Sequence, residues 1–499
     1  MENLHFVLIP LMSQSHIIPL TGFAKLLAKR GVTVSIITTP SNAKNYNSSV
    51  IAATPDLRIQ LITVRFPGQE VGLPQGCENM DALPSLDLFY EFFRASDLLR
   101  RPLEAIVSEL RPKPSCIVST NALPWTQDVA DKFDIPRYIF STVSCFSCVC
   151  SHIMDDVRAV RDDAEQIAVN SSIPKELSKD ETRMTTTFIV PHVPDHIEFG
   201  KDQLVGSTMK RSSGKLSSIL RKIKESQDLA RGSLINTFEE LEPWYVSEYK
   251  KLIKTNVWCV GPVSLRNKEE GRNGRDRSEC LDWLDSMKQG SIVYACFGSL
   301  CQLSLSQLME IGLGLEASGS HFVWVIRGLN LSPEVEKWLE DEGFEERVRG
   351  KGLVVRGWAP QVEILSHPSI GGFLTHCGWN STLEGVCAGV PMVTFPMFAE
   401  QFSNEKLIAD VLKIGEKIGV KESMSSWDEE KNGVLVRKEQ VKNAIDRLMG
   451  GDGGGDEKRK RAQEFAKMAK DAGEEGGSSF LNVSLFIQDV MLMQQGQEI

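Results

Sequence analysis

Apolar residues first gather in HFVLIP (His5 to Pro10), give way to polar LMSQSH, and return as the amphipathic stretch IIPLTGFAKLLAKRG followed by a second apolar run, VTVSIITT. Short apolar runs bounded by turn residues suit buried parallel strands, and apolar positions three and four apart suit a helix, so this opening segment is expected to form βαβ. Pro19 is expected in the helix's first turn and Gly31 just past its end, which gives both boundaries a local cause. Further strands are expected at SCIVST (115 to 120), RYIFST (137 to 142) and GSLINT (232 to 237).

A break follows the helix expected around Trp244. Gly261-Pro262 leads into LRNKEEGRNGRDRSE, rich in charge and poor in apolar residues, the composition of a linker. The alternation restarts at SIVYACFGS and runs through HFVWVIR, GLVVRGW, GGFLTH and PMVTFP. The expected fold class is α/β, with one doubly wound domain over residues 1–254 and a second over 255–475. A last helix, within 476–499, is expected to pack back on the first domain. Two such halves face each other across a cleft lined by the C-terminal ends of their parallel strands, where open α/β folds bind ligands.

Composition fills in this picture without redirecting it. The 499 residues exceed one ordinary core, and 41% apolar with 24% charged residues are globular values. A net charge of -10 argues against broad nucleic-acid binding, which needs a basic surface. The 11 cysteines are odd in number and sit mostly in apolar runs, as buried thiols do. HFVLIP lacks a basic leader, and no apolar run approaches the roughly 18 residues of a membrane span. A cytoplasmic, monomeric protein without a membrane span is expected.

The chemistry concentrates in WAPQVEILSHPSIGGFLTHCGWNSTLEGVCAGVPMVTFPMFAEQ, 44 residues from Trp358 to Gln401. GGFLT reads as a strand, HCGW as a tight turn and NSTLEGVCAG as a helix whose first-turn N–H groups favour an anion such as a pyrophosphate. His376 and Ser381 flank that helix start with donors for phosphate oxygens, and Gly378 lets backbone approach closely. Asn380 and Glu384 share a helix face. The Glu384 carboxylate suits the two hydroxyls of a ribose, and Trp358, at a strand end, suits stacking on a base.

This block resembles, in length and in nearly every characteristic residue, the signature box of the plant secondary-metabolite UDP-glycosyltransferases. The whole chain is similar to that family, and PLMSQSHIIPL resembles its branch acting on terpenoid, steroid and flavonoid aglycones. The resemblance implies a GT-B fold, two Rossmann-like domains. It places Trp358 on uracil with Ala359 and Gln361 at the base edge, Glu384 on the ribose, and His376, Asn380, Ser381 and Ser299 on the phosphates. Glu400 and Gln401 are placed on sugar hydroxyls. Gln401 and Trp379 together imply UDP-glucose as the co-substrate, with no bound cofactor.

On the acceptor side, transfer to a hydroxyl needs a base, and a neutral histidine serves at physiological pH. His16 follows the first strand, at the expected cleft mouth, where the family carries its base. The family orients that histidine with an aspartate five residues before a tryptophan. Here the residue five before Trp125 is Thr120, which offers a hydrogen bond but no charge. A differently activated dyad, an easily ionised acceptor and a deliberate substitution are competing explanations. Asp128, on the following helix, is not expected to substitute. No Asp-x-Asp motif occurs, so no metal is expected on the diphosphate, and the implied reaction is direct displacement with inversion.

Competing readings are a catalytically weak binder of a nucleotide sugar or aglycone, supported by Thr120 alone, and an NAD-dependent oxidoreductase. The latter rests on Gly312-Leu-Gly314-Leu-Glu-Ala317, which falls inside a helical run rather than at a strand-to-helix turn. Cys145, Cys148 and Cys150 lack a second pair at zinc spacing. His192 and His196 are expected to line or brace the acceptor pocket, and the sequons at Asn47, Asn170, Asn380 and Asn482 are expected to be idle. Phe89, Phe92, Phe93, Phe140 and Phe146, in loops over 66–95 and 140–155, offer an apolar lining for a large flat aglycone, as does the stretch 180–205.

Overall fold

The computed structural model describes residues 4–46, 56–155, 187–200, 203, 214–265, 279–424, 433–451 and 454–497. Most of the charged linker, Asn47, Asn170 and part of the 180–205 stretch lie outside them.

The first domain contributes β1 (His5–Ile9), β2 (Thr33–Thr38), β3 (Ile59–Thr63), β4 (Cys116–Thr120), β5 (Arg137–Ser141), a short pair β6 (Thr187–Ile189) and β7 (Glu198–Gly200), β8 (Gly232–Ile235) and β9 (Asn256–Cys259). Apart from the antiparallel β6 and β7, these form one parallel sheet ordered β3-β2-β1-β4-β5-β8-β9. The second sheet is also parallel. It takes β10 (Ile292–Cys296), β11 (His321–Ile326), β12 (Gly352–Arg356), β13 (Ile370–Thr375), β14 (Met392–Thr394) and β15 (Gly415–Lys417) in the order β12-β11-β10-β13-β14-β15. In both sheets the first strand is interior, β1 between β2 and β4 and β10 between β11 and β13, and strand order reverses there. Such reversal opens a crevice at the strands' C-terminal ends. This is the expected pair of Rossmann-like domains in a GT-B arrangement.

β1, β4, β5, β10 and β13 are buried at every position, as expected of parallel strands covered on both faces. β3 and β15 gave weaker signals, because one is a half-exposed edge strand and the other has three residues. The expected domain boundary is corrected. β9 pairs with β8 in the first sheet, so the first domain runs through Cys259 rather than ending at residue 254. A four-residue strand finds its partner only in three dimensions.

The first helix is also corrected. It spans Gln14–Ala28, starting before the apolar pattern does, so Pro19 lies inside it and not in its first turn. Gly312 and Gly314 sit in the helix Leu305–Ser318, where an added Cβ would come within 2.5 Å of Trp338 and of Val441 respectively. They serve helix packing.

The last helix, Ser478–Gln497, docks on the first domain. Phe486 meets Phe6, Phe23, Tyr138 and Trp258 with ring centroids 5.5, 6.0, 4.9 and 5.9 Å away. Tyr138 donates to Asp489 at 2.6 Å and Arg231 pairs with the same carboxylate at 2.9 Å. Phe140 belongs to this cluster, 5.3 Å from Phe23, while Phe146 packs on Tyr245 and Phe92 on Phe66. All three phenylalanines are fully enclosed, which corrects their expected place in a pocket lining; Phe89 and Phe93 keep partial exposure. No helix among the described residues is long and apolar enough to cross a membrane.

Candidate active site

β13 ends at Thr375, and a turn with Cys377 at φ 62° delivers the chain into the helix Trp379–Ala388. The His376 ring lies in a slot between two glycines. A Cβ on Gly298 would stand 2.6 Å from His376 Nε2, and one on Gly378 only 2.4 Å. Gly378 thus makes room for an imidazole, a role that sequence reasoning had given to an approaching phosphate. Burial, reinforced by the charge of Arg327, holds the His376 imidazole down to about 4, so it is neutral, and its buried Nδ1 has no hydrogen-bond partner.

The residues expected to meet the nucleoside are braced internally. Tyr294 donates to Gln361 Oε1 at 3.3 Å, and Gln361 Nε2 donates to Ser381 Oγ at 3.0 Å and to Glu384 Oε2 at 2.7 Å. Burial pushes the Glu384 carboxyl up to about 7, while Gln361 and Arg327 favour its ionised form. Beside this cluster Trp358 is 75% exposed, whereas its neighbour Ala359 is buried. An indole this exposed is unusual for so large an apolar side chain.

Other expected donor residues carry structural bonds. The buried Trp379 donates its indole N–H to the backbone oxygen of Asn236 in the first domain at 2.8 Å, so its side chain ties the two domains together. Asn380 Nδ2 donates to the Ser15 carbonyl at 2.7 Å, also across the cleft, leaving its buried Oδ1 without a partner. Gln401 Oε1 accepts from the Met397 and Phe398 amides at 2.8 and 3.2 Å. The Glu400 carboxyl, raised by burial, accepts from the Trp379 amide at the helix start. Ser299 follows β10, as expected, and its hydroxyl donates to Asp81.

Asp81 also accepts from Ser13 Oγ at 2.9 Å and from the Gln14 amide at 2.8 Å, and so joins the start of the first helix to the Ser299 loop. Burial pushes its carboxyl up against these hydrogen bonds. Sequence reasoning missed Asp81, which lies in the short 3-10 turn Met80–Ala82 and belongs to no motif. It also missed Arg327, the first residue after β11. Arg327 Nη2 donates to the Ala359 carbonyl at 3.4 Å, and its buried Nε has no acceptor. The rule that places ligands at parallel-strand ends would have found it.

His16 lies in the first turn of the first helix, half-buried, with the cleft-facing Asn380 bond on the adjacent residue. Burial lowers its imidazole to about 4, so it is neutral at physiological pH. Its Nδ1 is enclosed and has no hydrogen-bond partner. Thr120, at the end of β4, is fully buried and accepts from the Leu11 amide at 2.8 Å. Its expected contact with His16 is therefore absent: the hydroxyl ties β4 to the β1 loop instead. Asp128 faces out and pairs with Arg100 at 2.6 Å. Pro19, Asn236, Ser264, Asn380 and Glu384 line a narrow crevice between the domains.

All 11 cysteines are free thiols, and no group of three or more His, Cys, Asp or Glu side chains among the described residues is placed as a metal site. Two parallel sheets thus bring the helix turn that carries a neutral histidine against the start of the helix that carries a braced carboxylate.

Comparison with known proteins gives the family. The family of UDP-glucoronosyl and UDP-glucosyl transferases matches residues 148–448. UDP-glycosyltransferase 73E1 of Stevia rebaudiana is 47% identical, over 98% of this chain and 96% of that protein. UDP-glycosyltransferase 73C3 of Arabidopsis thaliana is 45% identical, over 99% and 97%. Among solved structures, Glycyrrhiza uralensis UGT73P12 complexed with glycyrrhetinic acid 3-O-monoglucuronide superposes with a TM-score of 0.85 at 33% identity, covering 99% of this chain and 97% of that one. Medicago truncatula UGT71G1 complexed with UDP-glucose gives 0.76 at 27% identity, with 98% of each chain covered. The chain belongs to the UDP-glycosyltransferase family and is a plant-type glycosyltransferase of the 73 group, acting on small metabolites.

Proposed function

We propose that the protein transfers glucose from UDP-glucose to a hydroxyl of a lipophilic plant metabolite of the triterpenoid, steroid or flavonoid class, with inversion and without a metal. The observation that carries this reading is the crevice itself: His16 lies one residue from the Asn380 contact with Ser15, so the base and the donor helix meet. Neutral His16 removes the acceptor proton, the acceptor oxygen attacks the anomeric carbon, and UDP departs with its new charge held by the Trp379–Ala388 helix start, Ser299 and His376. UDP-glucose in the solved UGT71G1 complex supports the donor. A cytoplasmic monomer is part of the same reading.

The test is incubation with UDP-glucose and a panel of such alcohols, following UDP release and the anomeric configuration of the product. Turnover with inversion, unchanged by a chelator and inhibited by UDP but not by NAD, is expected; retention or chelator sensitivity overturns the mechanism. A second reading, a weakly catalytic binder, draws on the absence of any partner on His16 Nδ1. Binding of UDP-glucose with no UDP release across the panel would favour it.

A further inference from the structure

In an α-helix each N–H bonds the carbonyl four residues back, so residue 19 should bond the Ser15 carbonyl. Pro19 has no N–H, and a proline ring inside a helix also presses away the carbonyl four residues earlier. The Gln14–Ala28 helix continues through Pro19 nonetheless. The Ser15 carbonyl is not left unpaired: it accepts Asn380 Nδ2 from the second domain at 2.7 Å. Pro19 itself lines the crevice beside Asn380 and Glu384. His16 is the next residue along the helix.

We infer that Pro19 is a positioning residue for glycosyl transfer: by withholding its amide hydrogen it reserves the Ser15 carbonyl for Asn380, and so seats the His16 turn on the donor helix. The inference rests on reading His16 as the base. A proline that merely shaped the helix would leave this carbonyl to water or to a local donor. Here it is matched instead to one amide from a residue 365 positions away in sequence. Two tertiary features support the seating independently. Trp379, adjacent to Asn380, bonds Asn236 across the same crevice, and Asp81 holds the Gln14 amide from the other side of the turn.

The test restores the missing donor. Pro19→Ala returns an N–H that competes for the Ser15 carbonyl; Pro19→Gly returns it without a side chain and serves as the second variant. Both are expected to lower kcat about three- to tenfold, the worth of one hydrogen bond, with the dissociation constant of UDP within about twofold of wild type. The melting temperature is expected to hold or rise, since the helix regains a bond. In an Asn380→Ala background, adding Pro19→Ala is expected to change kcat less than about twofold, because the contact is already gone. The inference is overturned by an unchanged kcat in both single variants, by effects of Pro19→Ala and Asn380→Ala that multiply, or by a fall in melting temperature with parallel loss of kcat and UDP binding. His16→Ala is the control. Wild-type turnover in that variant overturns the base reading and this inference with it, whereas an inactive His16→Ala beside an unaffected Pro19→Ala overturns this inference alone.

Discussion

The donor and acceptor halves of the crevice are built differently. On the donor side Tyr294, Gln361, Ser381 and Glu384 form a chain of hydrogen bonds within one domain, and the His376 ring fits a slot made by two glycines. On the acceptor side His16 Nδ1 has no partner, and the residue expected to orient it, Thr120, is committed to Leu11. One half is preorganised by its own residues. The other takes its geometry from contacts with Asn380 and Asp81. A site stiffened locally should tolerate changes elsewhere, whereas a base held from outside should respond to its supports.

The change with the largest expected effect is His16→Ala, which should lower kcat on the order of 10² to 10⁴-fold while UDP binding, read by titration, stays near wild type. Loss of UDP binding in that variant would erase the distinction between the halves. Next, Trp358→Ala should weaken UDP and uridine alike by about 5- to 100-fold, the worth of one stacked base. If uridine binding is untouched, the exposed indole is not the base platform. Arg327→Met should weaken UDP more than uridine, by about tenfold, because a removed charge is felt at phosphates rather than at the base.

Thr120→Asp tests the acceptor half by supplying what it lacks. A neutral base is required, and His16 at about 4 is neutral at all higher pH, so the wild-type kcat should fall on the acid side only as pH drops toward 4. A nearby carboxylate favours the imidazolium, so the acid limb should move upward by about 1 to 3 pH units. Turnover on alcohols should rise roughly tenfold as the base strengthens. A flat or falling turnover would show that position 120 does not serve His16. The smallest kinetic effect is expected for Asp489→Ala, which removes the acceptor for Tyr138 and Arg231 under the last helix. Stability should fall by about 1 to 3 kcal/mol in denaturant titration with kinetics unchanged.

Much of this molecule was legible in its residues. Strands such as FVLI, CIVS and GGFLT are continuous apolar runs, and a run of that kind is buried in a parallel sheet wherever the chain goes next. The 44-residue segment from Trp358 to Gln401 was legible for the same reason: strand, turn and helix follow one another, so the residues flanking the helix start are neighbours by local geometry alone. The same locality explains the errors. Gln14–His16 read as a turn because their helix is held from outside, by Asp81 on its first amide, and β9 falls to the second domain on sequence alone because its partner β8 lies a whole helix earlier.

The sequence by itself determined two doubly wound halves, the donor segment and the candidate base, since each rests on periodicity or on residues close along the chain. Only the tertiary structure decided that Trp379 braces the domains, that Thr120 bonds Leu11, that Arg327 reaches Ala359 and Asp81 the start of the first helix, and that Pro19 leaves a carbonyl for Asn380. Those facts depend on atoms from distant segments meeting within about 3 Å. No local pattern encodes such a meeting, because it is fixed by how the two sheets pack.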